Sequence, residues 1–345
     1  MQPRNIMVAL IRQPDAREKK PEFSDLPPGI FRQLEKLCGD KIVSSNTAFG
    51  GLSASAGFIM TLASGRKVFA KGTHPAETAH GSANLAQEIS AYQIVEALRD
   101  ASPPYIGVVS DGEEDGWMLG VWEYVDHDPA LASLPRLMDL FRAWQKFDGA
   151  KEVLPSVREQ VYISQFFSVD KKWQRLKNDP AIRKKFLTLF DDQAAANAWF
   201  EKSIEALTEW QIRAARLGAP EGLVHGDLRL DNFIFSKDRA YAVDWPNACF
   251  GPLVFDQMFL FSNLEAEGLG KIEELMEQFG SYITDDAVAM LASLSGYFAD
   301  QAYRDVPERM PRLRWMQKSM LLAQLKCLSR LGIIESIPRM TDENQ

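Results

Sequence analysis

The spacing of apolar residues in this 345-residue chain changes from β-rich to helical near residue 125, and that change constrains the fold more than any other feature. Upstream, the pattern is short and β-like. Residues 54–62 (ASAGFIMTL) read as a strand, Ser64-Gly65-Arg66 as a turn and residues 67–71 as the returning strand of a hairpin. Leu85, Ile89, Tyr92 and Val95 recur at helical spacing, so residues 84–99 read as one amphipathic helix, stopped by Pro103-Pro104. Residues 105–109 and 117–124 read as two further strands, and residues 30–37 as a short helix ending near Gly39. Downstream, residues 131–147 and 181–217 carry Leu, Phe and Trp every three or four positions. A β interruption at 223–245 follows, and the rest is helical to about residue 333. The expectation is an α+β chain with a polar lead-in (1–25), a β-rich lobe (26–125) and a larger helical lobe (126–345), joined at residues 124–129.

Composition narrows the functional classes. An apolar content of 46% and a charged content of 25% suit a globular enzyme. A net charge of −8 disfavours a nucleic-acid or anionic-membrane binder, since both need a basic face. The apolar run at residues 6–11 is too short for a signal-peptide core, and no stretch reaches membrane-spanning length. Cys38, Cys249 and Cys327 show no metal or disulfide spacing. Together these suggest a cytoplasmic protein, and a monomer or homodimer is the expected state.

The chemistry concentrates in residues 223–245, LVHGDLRLDNFIFSKDRAYAVDW. Here an apolar entry leads to a polar break at His225-Gly226-Asp227. A strand from Asn232, a turn at Lys237-Asp238-Arg239 and a return strand to Val243 follow. Such a hairpin sets position 232 opposite 244, to within one register step, with Asp227 in the loop that feeds it. An amide oxygen beside a carboxylate suits Mg²⁺, which takes few protein ligands and leaves room for phosphates. A nearby carboxylate can accept the proton of an attacking hydroxyl.

The pattern His225-x-Asp227-x4-Asn232, followed by Asp244, resembles the catalytic loop and metal aspartate of the aminoglycoside phosphotransferase and choline kinase family, distant relatives of protein kinases. The resemblance implies a bilobal protein-kinase-like fold, ATP and Mg²⁺ as cofactors, and a small-molecule hydroxyl acceptor. It implies Asp227 as catalytic base, Asn232 and Asp244 as metal ligands, and His225 as a brace of the loop. Lys71, in Val68-Phe69-Ala70-Lys71, becomes the candidate for the nucleotide phosphates. Glu88 lies on the apolar side of its helix, where an unpaired carboxylate is costly, and is the candidate partner of Lys71, with Glu77 as the rival. Gly50, Gly51 and Ser53 stand where a phosphate-covering loop belongs. Glu123, Tyr124 and Val125 stand where the family's hinge meets adenine through the backbone. Pro246 replaces an acid that many members carry two positions after the metal aspartate, and Asp256 resembles a structural aspartate.

Residues 256–310 hold eleven acids against Lys271, Arg304 and Arg309. A negative cleft there would attract cations, so a cationic antibiotic or amino alcohol is the expected acceptor. Solvated acidic helix faces are the alternative. A nucleotide-binding pseudokinase is the alternative to an enzyme.

Overall fold

The computed structural model describes residues 9–49, 51–73, 79–94, 96–112, 116–145, 171–217 and 222–342. Contacts group them into two units. A sheet unit gathers the described residues of 18–159 and 231–250, and a helical unit gathers those of 1–17, 160–230 and 251–345. The stretch 231–250 therefore groups with the β-rich residues that precede it by more than a hundred positions.

In the sheet unit, β1 (Ile42–Thr47), β2 (Ala56–Leu62), β3 (Lys67–Thr73), β4 (Tyr105–Ser110) and β5 (Met118–Glu123) form an antiparallel sheet in the order β1-β2-β3-β5-β4. Phe58, Met60, Val68, Ala70, Leu119 and Val121 bury one face of it. Against that face lies α1 (Pro28–Cys38), which buries Ile30, Leu34 and Cys38 at four-residue spacing. Gly39 ends α1 in the left-handed region at φ 71°, its N–H bonded to the Glu35 carbonyl. The helix expected at 84–99 is found as α2 (Ala79–Ile94) and α3 (Glu96–Ala101), either side of residue 95, which lies outside the described residues. The α2 helix begins five residues early, through Gly81, Ser82 and Asn84, which are poor helix formers whose propensity is overridden by context. Next, α4 (Leu134–Gln145) completes the long elements of this unit.

The helical unit holds α5 (Lys172–Asn178), α6 (Pro180–Leu187), α7 (Gln193–Ala214), β6 (Gly222–Val224), α8 (Val254–Ala266), α9 (Ile272–Gln278), α10 (Asp285–Gln301) and α11 (Leu313–Arg330). Asp179, Asp192 and Thr284 cap α6, α7 and α10 by accepting backbone N–H groups of the first turn. Apolar residues all round α8, α10 and α11 are buried, as expected of helices packed on several sides. Residues 10–12 are pinned to this unit. Leu10 donates its N–H to Ala266, Arg12 donates to Asp342, and the Trp315 indole donates to the Ile11 carbonyl. Among the described residues, no helix is long and apolar enough to cross a membrane.

Candidate active site

Lys71 lies on β3, directly opposite Gly57 of β2 and Gly120 of β5. Directly opposed residues share a face, so neither facing position adds a side chain of its own beside Lys71, and the Trp122 ring fills the space a Gly120 Cβ would take. Its ammonium reaches Glu88 Oε2 at 2.7 Å and Asp244 Oδ1 at 2.6 Å. Lys71 is 22% exposed and Glu88 3%, so the pair is largely out of water. Burial alone would lower the Lys71 pKa, but the Asp244 and then the Glu88 carboxylates outweigh it and hold the ammonium well above the ordinary lysine value. Burial raises the Glu88 carboxyl, Lys71 pulls it down and Asp244 raises it further. With an ammonium at 2.7 Å and the Trp245 N–H donated to Oε1 at 3.2 Å, Glu88 is read as the carboxylate. The expected Lys71–Glu88 pair is formed. Glu77 lies outside the described residues.

Asp244 reaches this pair from a short ribbon. Here β7 (Phe233–Phe235) and β8 (Ala240–Ala242) pair with Phe233 opposite Ala242, and Val243 N–H donates to the Asn232 carbonyl at 2.9 Å. Asn232 is therefore opposite Val243, one register step from Asp244. Ser236 and Arg239 close the turn through backbone and hydroxyl bonds. Asp244 adopts φ 69°, a left-handed conformation uncommon outside glycine. It is locked there by its neighbour: the buried Trp245 indole donates to Ser102 Oγ and the Ala242 carbonyl, and Ser102 Oγ donates to that same carbonyl. Asn232 is buried at the same end of the ribbon. A carboxylate and an amide at one ribbon end are hard oxygen donors of the kind Mg²⁺ takes, and so they fit that ion. Among the described residues no three His, Cys, Asp or Glu side chains gather as a metal site.

The loop before β2 also belongs to the sheet unit. Gly51 has φ 68°, and a Cβ there would lie 4.0 Å from Asp231 Oδ2, next to Asn232. Ser53 Oγ accepts the Ser55 N–H and donates to the Ser55 hydroxyl. Gly50 lies outside the described residues. At the end of β5, the Glu123 side chain forks onto Arg66, and its N–H donates to the Pro104 carbonyl. The Tyr124 N–H donates to Lys67. Val125 follows, half-buried.

Asp227 belongs to the helical unit. Arg229 Nη1 donates to both of its carboxylate oxygens at 2.9 Å, and Arg229 is buried. Beneath the loop, fully buried Asp256 of α8 accepts the N–H of His225 at 2.6 Å and of Gly226 at 3.0 Å. Burial raises the Asp256 pKa to about 7, although the two N–H bonds oppose this and Asp227 adds to it. Gly226, at φ 83°, makes the turn that presents both N–H groups. His225 Nδ1 accepts the Asp227 N–H, and Asn263 of α8 accepts the Leu230 N–H. No sequence signal singled out Arg229 or Asn263. Arg229 lies two residues after Asp227 and reads from sequence as an ordinary loop cation.

The acids of 256–310 are mostly engaged. Besides Asp256, Glu265 and Glu273 hold Arg330, Glu274 holds Lys271 and Asp285 holds Arg213. Asp300, fully buried, faces Lys172, Arg175 and Arg304.

The phosphotransferase enzyme family matches residues 50–311. No curated protein matches the chain in sequence. Among solved structures, the chain is similar to a thermostable mutant of aminoglycoside phosphotransferase APH(4)-Ia in ternary complex with ADP and hygromycin B. The identity is 14%, with 89% of this chain and 99% of that one covered and a TM-score of 0.54. It is also similar to an aminoglycoside phosphotransferase from Alicyclobacillus acidocaldarius, with 13% identity, 85% and 92% coverage and a TM-score of 0.51. A third similar structure is amicoumacin kinase hAmiN in complex with AMP-PNP, Ca²⁺ and Ami, with 13% identity, 88% and 94% coverage and a TM-score of 0.50. Since the family matches well over half of its length, the chain belongs to the phosphotransferase enzyme family, as a small-molecule kinase with an α+β, protein-kinase-like fold.

Proposed function

We propose that this protein moves the γ-phosphoryl group of ATP, with Mg²⁺, to a hydroxyl of a small molecule. The observation that carries the reading is Lys71, a lysine kept charged between Glu88 and Asp244 on a strand where the two residues directly opposite it are glycines. Such a lysine is positioned for nucleotide phosphates, and Glu88 fixes its direction. Asn232 and Asp244 would hold Mg²⁺, which when bound neutralises and orients phosphate oxygens. Gly50, Gly51 and Ser53 would cover the phosphates, and the backbone of Glu123 and Val125 would meet adenine. The Glu123 N–H is already bonded to Pro104, so its carbonyl and Val125 are the groups assigned that contact.

Asp227 would act as the base. The acceptor O–H bond breaks, with its proton passing to the Asp227 carboxylate. A bond forms from that oxygen to the γ-phosphorus, and the bond to the β–γ bridging oxygen breaks to release ADP. Arg229, bonded to both Asp227 oxygens, fixes the orientation of the carboxylate. The protein would work in the cytoplasm as a monomer or homodimer. A cationic antibiotic or amino alcohol as acceptor would need free acids on the helical unit, where Glu265, Glu273, Glu274, Asp285 and Asp300 are each held in an ion pair.

The test is ADP release by the purified full-length chain from ATP and Mg²⁺, with and without a panel of small alcohols. Release stimulated by an acceptor and stopped by a chelator is the expected result. A chain that binds neither ATP nor ADP would sink the reading in favour of a role without nucleotides, and one that binds them but transfers nothing would be the pseudokinase.

A further inference from the structure

Cations crowd one place in the helical unit. Asp300 of α10 is approached by Arg304 at 2.7 Å, Arg175 at 3.2 Å and Lys172 at 3.6 Å. Arg314, in the first turn of α11, adds a fourth cation. Its Nε donates to the Asp305 carbonyl at 3.0 Å and its Nη1 to Gln317 Oε1 at 2.7 Å. Both acceptors are neutral, and Arg314 makes no ion pair among the described residues. Burial, and then the charge of Arg304, push its pKa below the ordinary arginine value. A cation in a first helical turn also faces the positive end of the helix dipole. Arg175 and Arg304 share the Asp300 carboxylate, and Arg314 lies in the field of Arg304, in a chain whose net charge is −8. A half-buried guanidinium placed at such cost suits an anion supplied from outside.

The patch adjoins the loop of Asp227 within the same unit. Phe298 of α10 packs on Phe259 of α8 at 5.9 Å, one turn from Asp256, which holds that loop. Tyr297, next to Phe298 and one turn before Asp300, feels both sides. Burial and then the Asp227 carboxylate raise its phenol, while Arg304 and Arg314 lower it. Val306, 56% exposed between the two arginines in sequence, adds an apolar contact surface.

We propose that Arg304 and Arg314 form the acceptor subsite of this kinase and take the carboxylate or phosphate of an anionic small-molecule alcohol, presenting its hydroxyl to Asp227. This rests on the kinase reading above and gives it a substrate class opposite in charge to the one the acidic sequence suggested. A polycation would be repelled by the patch.

The test has a binding arm and a turnover arm, both on the full-length chain. In the first, saturating ADP and Mg²⁺ are held constant, and inorganic phosphate or a short hydroxycarboxylic acid is compared with sodium chloride of equal ionic strength. At least one oxyanion is expected to raise the Tm of the wild type and not of Arg314→Gln, with Arg314→Lys in between. The probe that acts separates a phosphate from a carboxylate ligand. In the second, hydroxycarboxylic acids and sugar phosphates are compared with their amides, their unphosphorylated counterparts and amino alcohols. Arg314→Gln is expected to raise the KM of the oxyanion acceptor about tenfold or more, the scale of one charge-assisted hydrogen bond. The KM of the uncharged counterpart is expected to stay unmoved. Equal Tm shifts in wild type and Arg314→Gln, no shift in either, or preferred turnover of amino alcohols would overturn the subsite and leave the kinase standing. Failure of ADP and Mg²⁺ to bind would overturn the kinase reading itself.

Discussion

Lys71 and Asp227 are held in opposite ways. The sheet unit sets one ammonium between two carboxylates, Glu88 and Asp244, so that cluster carries one negative charge in excess. The helical unit gives Asp227 a guanidinium on both oxygens and keeps a second acid, Asp256, beneath the loop as an acceptor of backbone N–H groups. The first cluster has charge left over for another cation. In the second, Arg229 matches Asp227, while Asp256, its pKa raised by burial to about 7, is tied in by backbone bonds. On the proposed reading, the first would gather a metal–nucleotide and the second would aim a proton acceptor.

The sharpest way to break this division is to neutralise each aspartate in turn. Asp227→Asn is expected to lower phosphoryl transfer by about 10³-fold or more, within the range of a lost general base, while retaining the affinity for ADP with Mg²⁺. Asp244→Asn is expected to lose transfer and most of the Mg²⁺-dependent part of ADP affinity as well. Calorimetric titration of both variants decides it. If Asp227→Asn weakens ADP binding as much as Asp244→Asn does, the two clusters do not divide the work.

A smaller effect separates them by pH. Asp256 titrates near 7 in the folded chain, against about 4 for an ordinary aspartate. Across that window the folded chain keeps a proton that the unfolded chain has released. Stability from this group is therefore fully present below about pH 4, is lost as pH rises to about 7, and changes no further above it. The span is worth up to about 4 kcal/mol. Denaturant unfolding of the wild type and Asp256→Asn at pH 5 and pH 8 should show a decline that the variant lacks. Equal declines would mean that Asp256 is not the group responsible.

The two clusters were unequally legible. Lys71 with Glu88 could be read because a carboxylate on the apolar side of a helix demands a partner, and one lysine ended a nearby strand. The ribbon carrying Asn232 and Asp244 could be read because its turn residues and alternation fix the pairing to one step, and the pairing found is one step away. Arg229 could not, since nothing local tells a loop arginine that pairs from one that is solvated. The acids of 256–310 suggested a cation site for a similar reason. Glu265 finds Arg330 only after 65 residues, and Asp300 finds Arg175 125 residues away, separations no spacing rule spans. β1 was missed because Ile42–Thr47 (IVSSNT) is a polar edge strand, whose exposed face erases the alternation that marks half-buried strands.

The least of these effects concerns what Lys71 does for the fold. Removing one partner of a buried ion pair strands the other, and Glu88 would remain 3% exposed with Asp244 as a second negative charge nearby. Lys71→Met is therefore expected to cost about 3 kcal/mol of stability, besides its effect on nucleotide affinity. Adding Glu88→Gln should return part of that loss, because a buried amide needs only hydrogen bonds and the Trp245 N–H already supplies one. The double-mutant cycle in urea measures the coupling directly. A cycle that sums to zero would show that the lysine answers to Asp244 alone, and the fold of α2 onto the sheet would then owe nothing to the charge that nucleotide binding is proposed to use.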